Sequence, residues 1–242
     1  QTLASQMPSQ PSTLLQKKED NSAVAINARP NECGLQEQQG PEQSVGPFDI
    51  SVKFFQPGAM LSSPGSNMHM KNYEDSQMHL EVDTKANAWG TNWGYSTDET
   101  PAGLQMWYSL TDASGKELAH DMMMEMNAID GSHYGTNLPA KTIVEPGTYH
   151  LKMTIYPPRN YAIHQDYITG VPKKGWFAPM TADMEWRLSR EMLDKVDSLR
   201  REAPMTVPDN CKNYPVRMVK DDAAEKAYSQ AIKLIPVPMG RH

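Results

Sequence analysis

Two short segments of the chain bring together side chains that suit metal binding. In residues 77–83, alternation along a strand places His79, Glu81 and Asp83 on one face and apolar side chains on the other. An imidazole beside two carboxylates is a donor set that a metal ion can use. The same row also suits a solvated strand face, and for this segment alone we favour that interpretation.

The second segment, residues 121–135, contains four methionines within five positions, then an Asp-Gly turn signal and a histidine. Methionine at both parities of a strand predicts either a doubly buried strand with adaptable packing or thioether ligation of a soft metal. Because Asp130-Gly131 predicts a turn, His133 is expected to fold back beside Met126. Thioether with imidazole favours copper over calcium or magnesium. Spacing alone leaves both interpretations open, with packing the commoner one.

Composition narrows the class of function. The chain has 29 acidic and 23 basic residues, a net charge of −6 that argues against nucleic acid as the main partner. No apolar run approaches the roughly 18 residues that a bilayer span requires, so we expect no membrane-spanning segment. Motifs of nucleophilic hydrolases, nucleotide-binding loops and zinc proteases are missing, so the two cysteines and the scattered serines give no support to acyl transfer.

Periodicity and turn residues divide the chain into three parts. Residues 1–46 are rich in Gln, Ser and Pro and predict an irregular, extended arm. Residues 47–189 alternate apolar with polar residues between Gly/Pro turns, which predicts an all-β, antiparallel sandwich. Residues 190–242 switch to helical spacing and predict a partly helical extension. The predicted strands are 48–54, 77–87, 104–111, 117–126, 147–156 and 181–189.

The two cysteines and the first residue bear on the cellular compartment. Cys33 and Cys211 are far apart, so they are unrelated thiols in a cytosolic protein or a single disulfide in an exported one. The chain opens on Gln1 with no signal peptide, which predicts a cytosolic protein or an exported one whose signal has been removed.

Four ordered motifs resemble the periplasmic iron-transport accessory family, whose copper-binding members are encoded beside bacterial high-affinity iron permeases. Residues 56–60 resemble its Gln-Pro-x-x-Met segment, and residues 79–83 resemble its His-Leu-Glu-Ala-Asp strand. Residues 126–135 resemble its Met-(six residues)-His-Tyr-Gly stretch. His164, followed by Thr-Gly-Val and an aromatic-Pro segment, resembles the final motif. The resemblance runs from about residue 47 to 189.

The resemblance implies a function and a site for this chain. It implies an immunoglobulin-like sandwich that forms a homodimer, is exported to the periplasm and binds copper near the dimer interface. The implied copper ligands are His79, Met126, His133 and His164, and in the family the last of these can come from the partner subunit. Glu81 and Met60 match a secondary position for iron or a mobile copper. The family has a second histidine where this chain has Lys85, which adds positive charge beside that secondary position.

Two hypotheses of function follow. The first is a periplasmic copper-binding protein that supports iron uptake, with copper-dependent redox handling of iron, and with a membrane iron permease as a partner. The second is a structural or assembly subunit, in which the sandwich is a scaffold docked into a larger complex through its terminal extensions. Metal analysis together with the mass in solution separates them.

Overall fold

The computed structural model describes residues 35–58, 60–61, 70–128, 130–201 and 222–233. Within these residues the chain forms eight strands, two α-helices and two 3₁₀ helices. The strands are β1 (Gln38–Val45), β2 (Phe48–Phe55), β3 (Ser76–Ala86), β4 (Gln105–Thr111), β5 (Glu117–Ala128), β6 (Gly131–Pro139), β7 (Gly147–Tyr156) and β8 (Met180–Leu188). The helices are α1 (Arg190–Arg201) and α2 (Asp222–Lys233), with 3₁₀ turns at Tyr73–Asp75 and Ala88–Trp93.

All strand pairs are antiparallel, in the order β1-β2-β3-β6-β5-β4-β7-β8. Strand β5 joins two halves of this arrangement, because Met123 pairs with Met106 on β4 and the next residue, Met124, pairs with Gly135 on β6. The two end strands, β1 and β8, also approach one another, so the sheet folds over a shared interior. The predicted antiparallel β architecture is confirmed, and the immunoglobulin-like class stays a prediction.

Alternating burial along the strands builds the core. In β2 the side chains of Phe48, Ile50, Val52 and Phe54 are buried while those between them are more exposed. Strand β8 repeats the pattern, and the rings of Phe54 and Trp186 meet edge to face with centroids 5.1 Å apart. Since the side-chain period of a strand is two, this alternation fixes which face of each strand packs inward.

Two strands, β1 and β6, are not among the strands predicted from the sequence. Strand β1 falls in the Gln-rich segment assigned to the arm, and a bulge between Gln39 and Glu42 accommodates Gly40 and Pro41 at the sheet edge. Strand β6 has the sequence GSHYGTNLP, which is poor in β-branched residues. It is nevertheless central, because its neighbours β3 and β5 satisfy its backbone on both sides.

Helix α1 packs on the edge of the sheet near β2 and β3. Leu193 and Val196, one helical turn apart, are buried in the core. The side-chain amides of Gln38 and Gln56 donate to the carbonyl oxygens of Met192 and Lys195, at 2.8 and 2.9 Å. The described residues contain no helix long and apolar enough to span a membrane. Cys33 and Cys211 lie outside the described residues, so their disulfide stays a prediction.

Both faces of strand β3 are buried over residues 79–82, as both faces of β6 are over residues 133–138. Leu80 and Val82 point into the core, whereas His79 and Glu81 point to the opposite face and are only 5% and 4% exposed. Buried polar side chains on that second face must be hydrogen-bonded to be tolerated. The fold therefore places a polar, water-excluded cluster on the outer side of β3.

Candidate metal centre

His79 and His133 form the centre of this polar cluster. They lie on neighbouring strands, β3 and β6, and their ring centroids are 6.0 Å apart with planes at 74°. Two imidazoles that bind one ion through nitrogens about 2 Å from it can have centroids up to about 6 Å apart. The separation of the two rings is therefore compatible with a shared metal ion.

The hydrogen bond of His79 fixes which of its nitrogens is free. Its Nδ1 lies 2.8 Å from Oδ1 of Asn137, its register partner on β6. The amide of Asn137 has a fixed orientation, because its Nδ2 donates to the carbonyl oxygen of Lys71 at 2.7 Å. Asn137 therefore offers an acceptor, Nδ1 of His79 carries the proton, and Nε2 keeps its lone pair. This is the tautomer that binds a metal through Nε2.

His133 is also held by a hydrogen bond at Nδ1, with a carboxylate as the acceptor. Its Nδ1 lies 2.8 Å from Oε1 of Glu81, and both side chains are 5% exposed. Its Nε2 is buried and has no hydrogen-bond partner within the part of the chain that the structure describes. A buried ring nitrogen without a partner is costly. A metal ion at Nε2 would satisfy this atom, with Glu81 orienting the ring from behind as carboxylates do for metal-bound histidines.

Met126 is placed beside this pair by the strand register. It lies directly opposite His133 in the β5–β6 hairpin, as the Asp130-Gly131 turn signal predicts, and is partly buried. Among the described residues, no three His, Cys, Asp or Glu side chains gather in a way suited to a metal ion. The donors that one chain brings together are thus two imidazoles and a thioether, a set that fits copper better than zinc, calcium or magnesium.

Lys53, which is not among the site residues predicted from the sequence, lies next to this centre, opposite Glu81. Nζ of Lys53 is 3.0 Å from Asp83 and 3.7 Å from Glu37. Partial burial works to lower the pKa of Lys53, but the hydrogen bond to Asp83 and the neighbouring carboxylates outweigh it and raise that pKa. Burial raises the pKa of Glu37 despite the charge of Lys53. An ammonium group therefore already neutralises the carboxylates beside Glu81.

Lys85, by contrast, lies farther along β3 from the centre. Its Nζ donates to Oγ1 of Thr100 at 2.8 Å, and its side chain is exposed. It is four strand residues from Glu81, about 13 Å along β3. The cation beside the predicted secondary position is thus Lys53 on β2, a strand neighbour that sequence spacing does not reveal.

His164 lies on a loop and is not hydrogen-bonded to the other predicted ligands. Its side chain is 74% exposed, and its Nδ1 is 2.9 Å from Oγ1 of Thr169. The hydroxyl of Thr169 donates to Asp166, so it accepts from Nδ1 of His164 and leaves Nε2 free and facing solvent. Bonds from Thr169 and the backbone hold the pKa of Asp166 below its usual range. The loop therefore presents the Nε2 side of His164 to solvent.

Met60 is the remaining predicted site residue. It is 43% exposed and follows the buried Gln56-Pro57 pair. Glu81, its predicted companion at the secondary position, uses Oε1 for His133. The structure thus groups His79, His133, Glu81 and Met126, and leaves His164 and Met60 on the surface. The structure also brings Gly135 and Asn137 on β6, and Lys53 on β2, to the site. Only the strand pairing reveals these register positions.

Burial of His79 makes the metal-free protein sensitive to acid. Burial lowers the pKa of His79 from 6.5 to about 4, although the bond to Asn137 raises it. The unfolded chain therefore binds a proton between pH 6.5 and 4 that the folded chain does not, so stability falls as pH decreases through this window. We expect this group alone to cost about 2 kcal/mol of unfolding free energy between pH 7 and pH 5.

Urea unfolding of metal-free protein at the two pH values tests this expectation. The control is His79→Gln, which cannot take up the proton and should lose about 2 kcal/mol less than the parent over the same interval. Equal losses in the two proteins would show that other groups carry the acid sensitivity.

Sequence relatives share most of this domain. A 34 kDa membrane antigen of Treponema pallidum is 31% identical over 153 residues, which is 61% of this chain and 72% of the relative. A UPF0423 protein of Brucella abortus is 32% identical over 169 residues, or 68% of this chain and 85% of the relative.

Solved structures share the fold. FetP from a uropathogenic Escherichia coli strain, expressed in the periplasm, has a TM-score of 0.53 and 25% identity, covering 64% of this chain and 97% of FetP. The copper-reconstituted P19 protein of Campylobacter jejuni has a TM-score of 0.54 and 24% identity, covering 63% of this chain and 96% of P19. The family model described as Fe2+ transport protein matches residues 35–189, which confirms the resemblance predicted from the motifs. The chain belongs to the Fe2+ transport protein family.

Proposed function

We propose that this chain is an exported, periplasmic copper-binding protein that supports iron uptake. The observation that carries the proposal is the buried pair His79 and His133, each with Nδ1 bonded to a fixed acceptor, beside the thioether of Met126. Among the described residues the buried Nε2 of His133 has no hydrogen-bond partner, so a ligand would satisfy it.

Copper is inferred from this donor set. Copper held by imidazole nitrogen and thioether sulfur is stable as Cu(I) and Cu(II) and would supply one-electron chemistry. The P19 structure contains copper, and at 24% identity it supports the shared fold alone. Redox handling of iron, and iron or a second copper at Glu81 and Met60, stay predictions from the resemblance.

The proposal includes a homodimer. His79, His133 and Met126 leave room for a further ligand, and His164 offers an exposed Nε2 whose companion nitrogen is bonded to Thr169. In the proposed dimer, the partner's His164 completes the centre of each chain. Sedimentation with and without copper tests this step, since His164→Ala should weaken both metal binding and self-association.

Copper titration of the purified protein tests the proposal as a whole. We expect the wild type to bind a single copper ion per chain, and the His79→Ala, Met126→Ala double variant to lose this tight binding. A matched control is the His120→Ala, Met122→Ala pair, which removes the same two side-chain types from β5 away from the two imidazoles. Undiminished tight binding in the first double variant would overturn the assignment of the site.

A second candidate function is that of an assembly subunit docked through its extensions. The observation that favours it is α2, in which every side chain with a described environment is exposed or only partly buried. An amphipathic helix whose described side chains are not buried in their own chain suits a partner surface. Metal analysis combined with the mass in solution separates the two functions, since a metal-free, heteromeric particle would favour the second.

A further inference from the structure

The methionines of β5 are more numerous than the proposed copper site uses. Met122, Met124 and Met126 share one face of the strand and are each partly buried, whereas Met123 faces the core and is 2% exposed. Packing explains Met123. The three outward methionines do not pack in the core, and their face of the strand lies beside the polar cluster. Core packing therefore does not explain them.

The strand register places two of the three on the same face as the imidazoles. Met126 lies opposite His133 and Met124 lies opposite Gly135. Residues directly opposite one another in an antiparallel pair point to the same face, with Cβ atoms about 5 Å apart. Met124 and His133 therefore belong to one surface, even though they are not register partners.

The glycine opposite Met124 lets the ring of His79 reach toward β5. A Cβ atom built on Gly135 would lie 2.9 Å from Nε2 of His79, so this nitrogen sits close to where the side chain of residue 135 would begin. The Cβ of Met124 is about 5 Å from that same position. A methionine side chain carries its sulfur two bonds beyond Cβ, which is within reach of a metal ion bound at Nε2.

We infer that Met124 is a second thioether ligand of the copper centre, which makes the donor set two imidazoles and two thioethers in each chain. The inference rests on the proposed copper-binding function and extends it. Thioether ligands favour Cu(I), so a second one should stabilise the reduced ion more than the oxidised ion. The centre would then hold Cu(I) tightly before any ligand from a second copy arrives.

Met122 provides a matched control on the same strand and face. It lies beyond the point where β5 changes partners, opposite Trp107 on β4. With Trp107, Tyr156 and Arg159 it lines a surface cavity on that side. Replacing Met122 thus removes the same chemical group from a similar environment without touching the two imidazoles.

The test compares Met124→Leu, Met126→Leu and Met122→Leu, since leucine keeps volume and removes the sulfur. Cu(I) affinity is measured by competition with a chromophoric Cu(I) chelator, and Cu(II) affinity by competition with a chelating amino acid. We expect Met124→Leu to lose at least about tenfold in Cu(I) affinity and less in Cu(II) affinity, while Met122→Leu matches the wild type. A tenfold loss confined to Cu(I) corresponds to a potential lowered by about 59 mV.

X-ray absorption of the Cu(I) protein gives a second readout that does not depend on affinity. The wild type should show two sulfur neighbours and each of Met124→Leu and Met126→Leu one. Wild-type Cu(I) affinity and an unchanged sulfur count in Met124→Leu would overturn the inference while leaving the proposed function intact. A wild type that binds no copper would overturn both. A single sulfur in the wild type that is lost in Met126→Leu and kept in Met124→Leu would remove Met124 alone.

Discussion

Replacing His133 with alanine lowers the affinity for Cu(II) at least about a hundredfold. The expected size follows from the position of the side chain, because removing a residue that only supports a metal ligand costs 10–100-fold and removing a ligand costs more. The Nε2 of His133 is buried and has no hydrogen-bond partner within the described part of the chain, so a metal ion would satisfy this atom. Competition titration with a chelator of known affinity measures the change, with His120→Ala as a control for an exposed histidine.

Glu81→Gln distinguishes a ligand from a residue that positions one. Glutamine keeps the shape of Glu81 and can still accept from Nδ1 of His133, but it removes the charge that polarises the ring. We expect about a tenfold loss of copper affinity, well short of the loss for His133→Ala. A loss as large as that of His133→Ala would instead make Glu81 a direct ligand, and loss of a second bound metal would support the secondary position.

The β architecture was predictable because it is encoded in local alternation. The runs that became β2, β3 and β7 alternate apolar and polar residues clearly, and their predicted bounds agree with the structure to within a residue or two. Strand β6 has no such pattern. Its Gly, Asn and Pro residues are of types depleted in strands, and its conformation is imposed by pairing with β3 and β5 on either side.

Two residues of the site were not predicted from the sequence, because their contacts depend on how distant strands pair. His133 could be singled out in the sequence because it follows Met126 by seven residues, and both side chains can bind a soft metal. Asn137 is not, because an asparagine gains its role only when β6 pairs with β3 and brings it opposite His79. Lys53 is hidden for the same reason on β2, where it lies opposite Glu81. Long-range register, which local spacing does not encode, decides these contacts.

The burial of the site could be recognised only from the three-dimensional structure. From the sequence, residues 79–83 favour a solvated strand face, since His79, Glu81 and Asp83 are polar. The structure instead buries His79 and Glu81 almost completely, and each is paired with a hydrogen-bonding partner. Polar side chains on a buried face are tolerated only in such pairs. Their pairing is what separates a preformed metal centre from an ordinary strand surface.

Gly135→Ala should damage the copper centre without removing any proposed ligand. The new Cβ would lie 2.9 Å from Nε2 and 3.1 Å from Cε1 of His79, and 3.1 Å from the carbonyl oxygen of Leu80. Non-bonded carbon and nitrogen atoms need more room than this, so the imidazole must swing away and strain its bond to Asn137. We expect about 1–3 kcal/mol of destabilisation in urea unfolding and at least about a tenfold loss of copper affinity.

A double-mutant cycle with His79→Ala identifies the cause of that effect. If the methyl group acts by displacing the imidazole, Gly135→Ala should destabilise the parent protein but cost much less in the His79→Ala background, where the ring is gone. The coupling between the two changes should then reach about 1 kcal/mol or more, as expected for side chains in direct contact. An equal cost in both backgrounds would assign the damage to the carbonyl oxygen of Leu80 and to the strand backbone. In that case Gly135 would be needed for the pairing of β3 with β6, and the space that it leaves for the ring of His79 would have no part in metal binding.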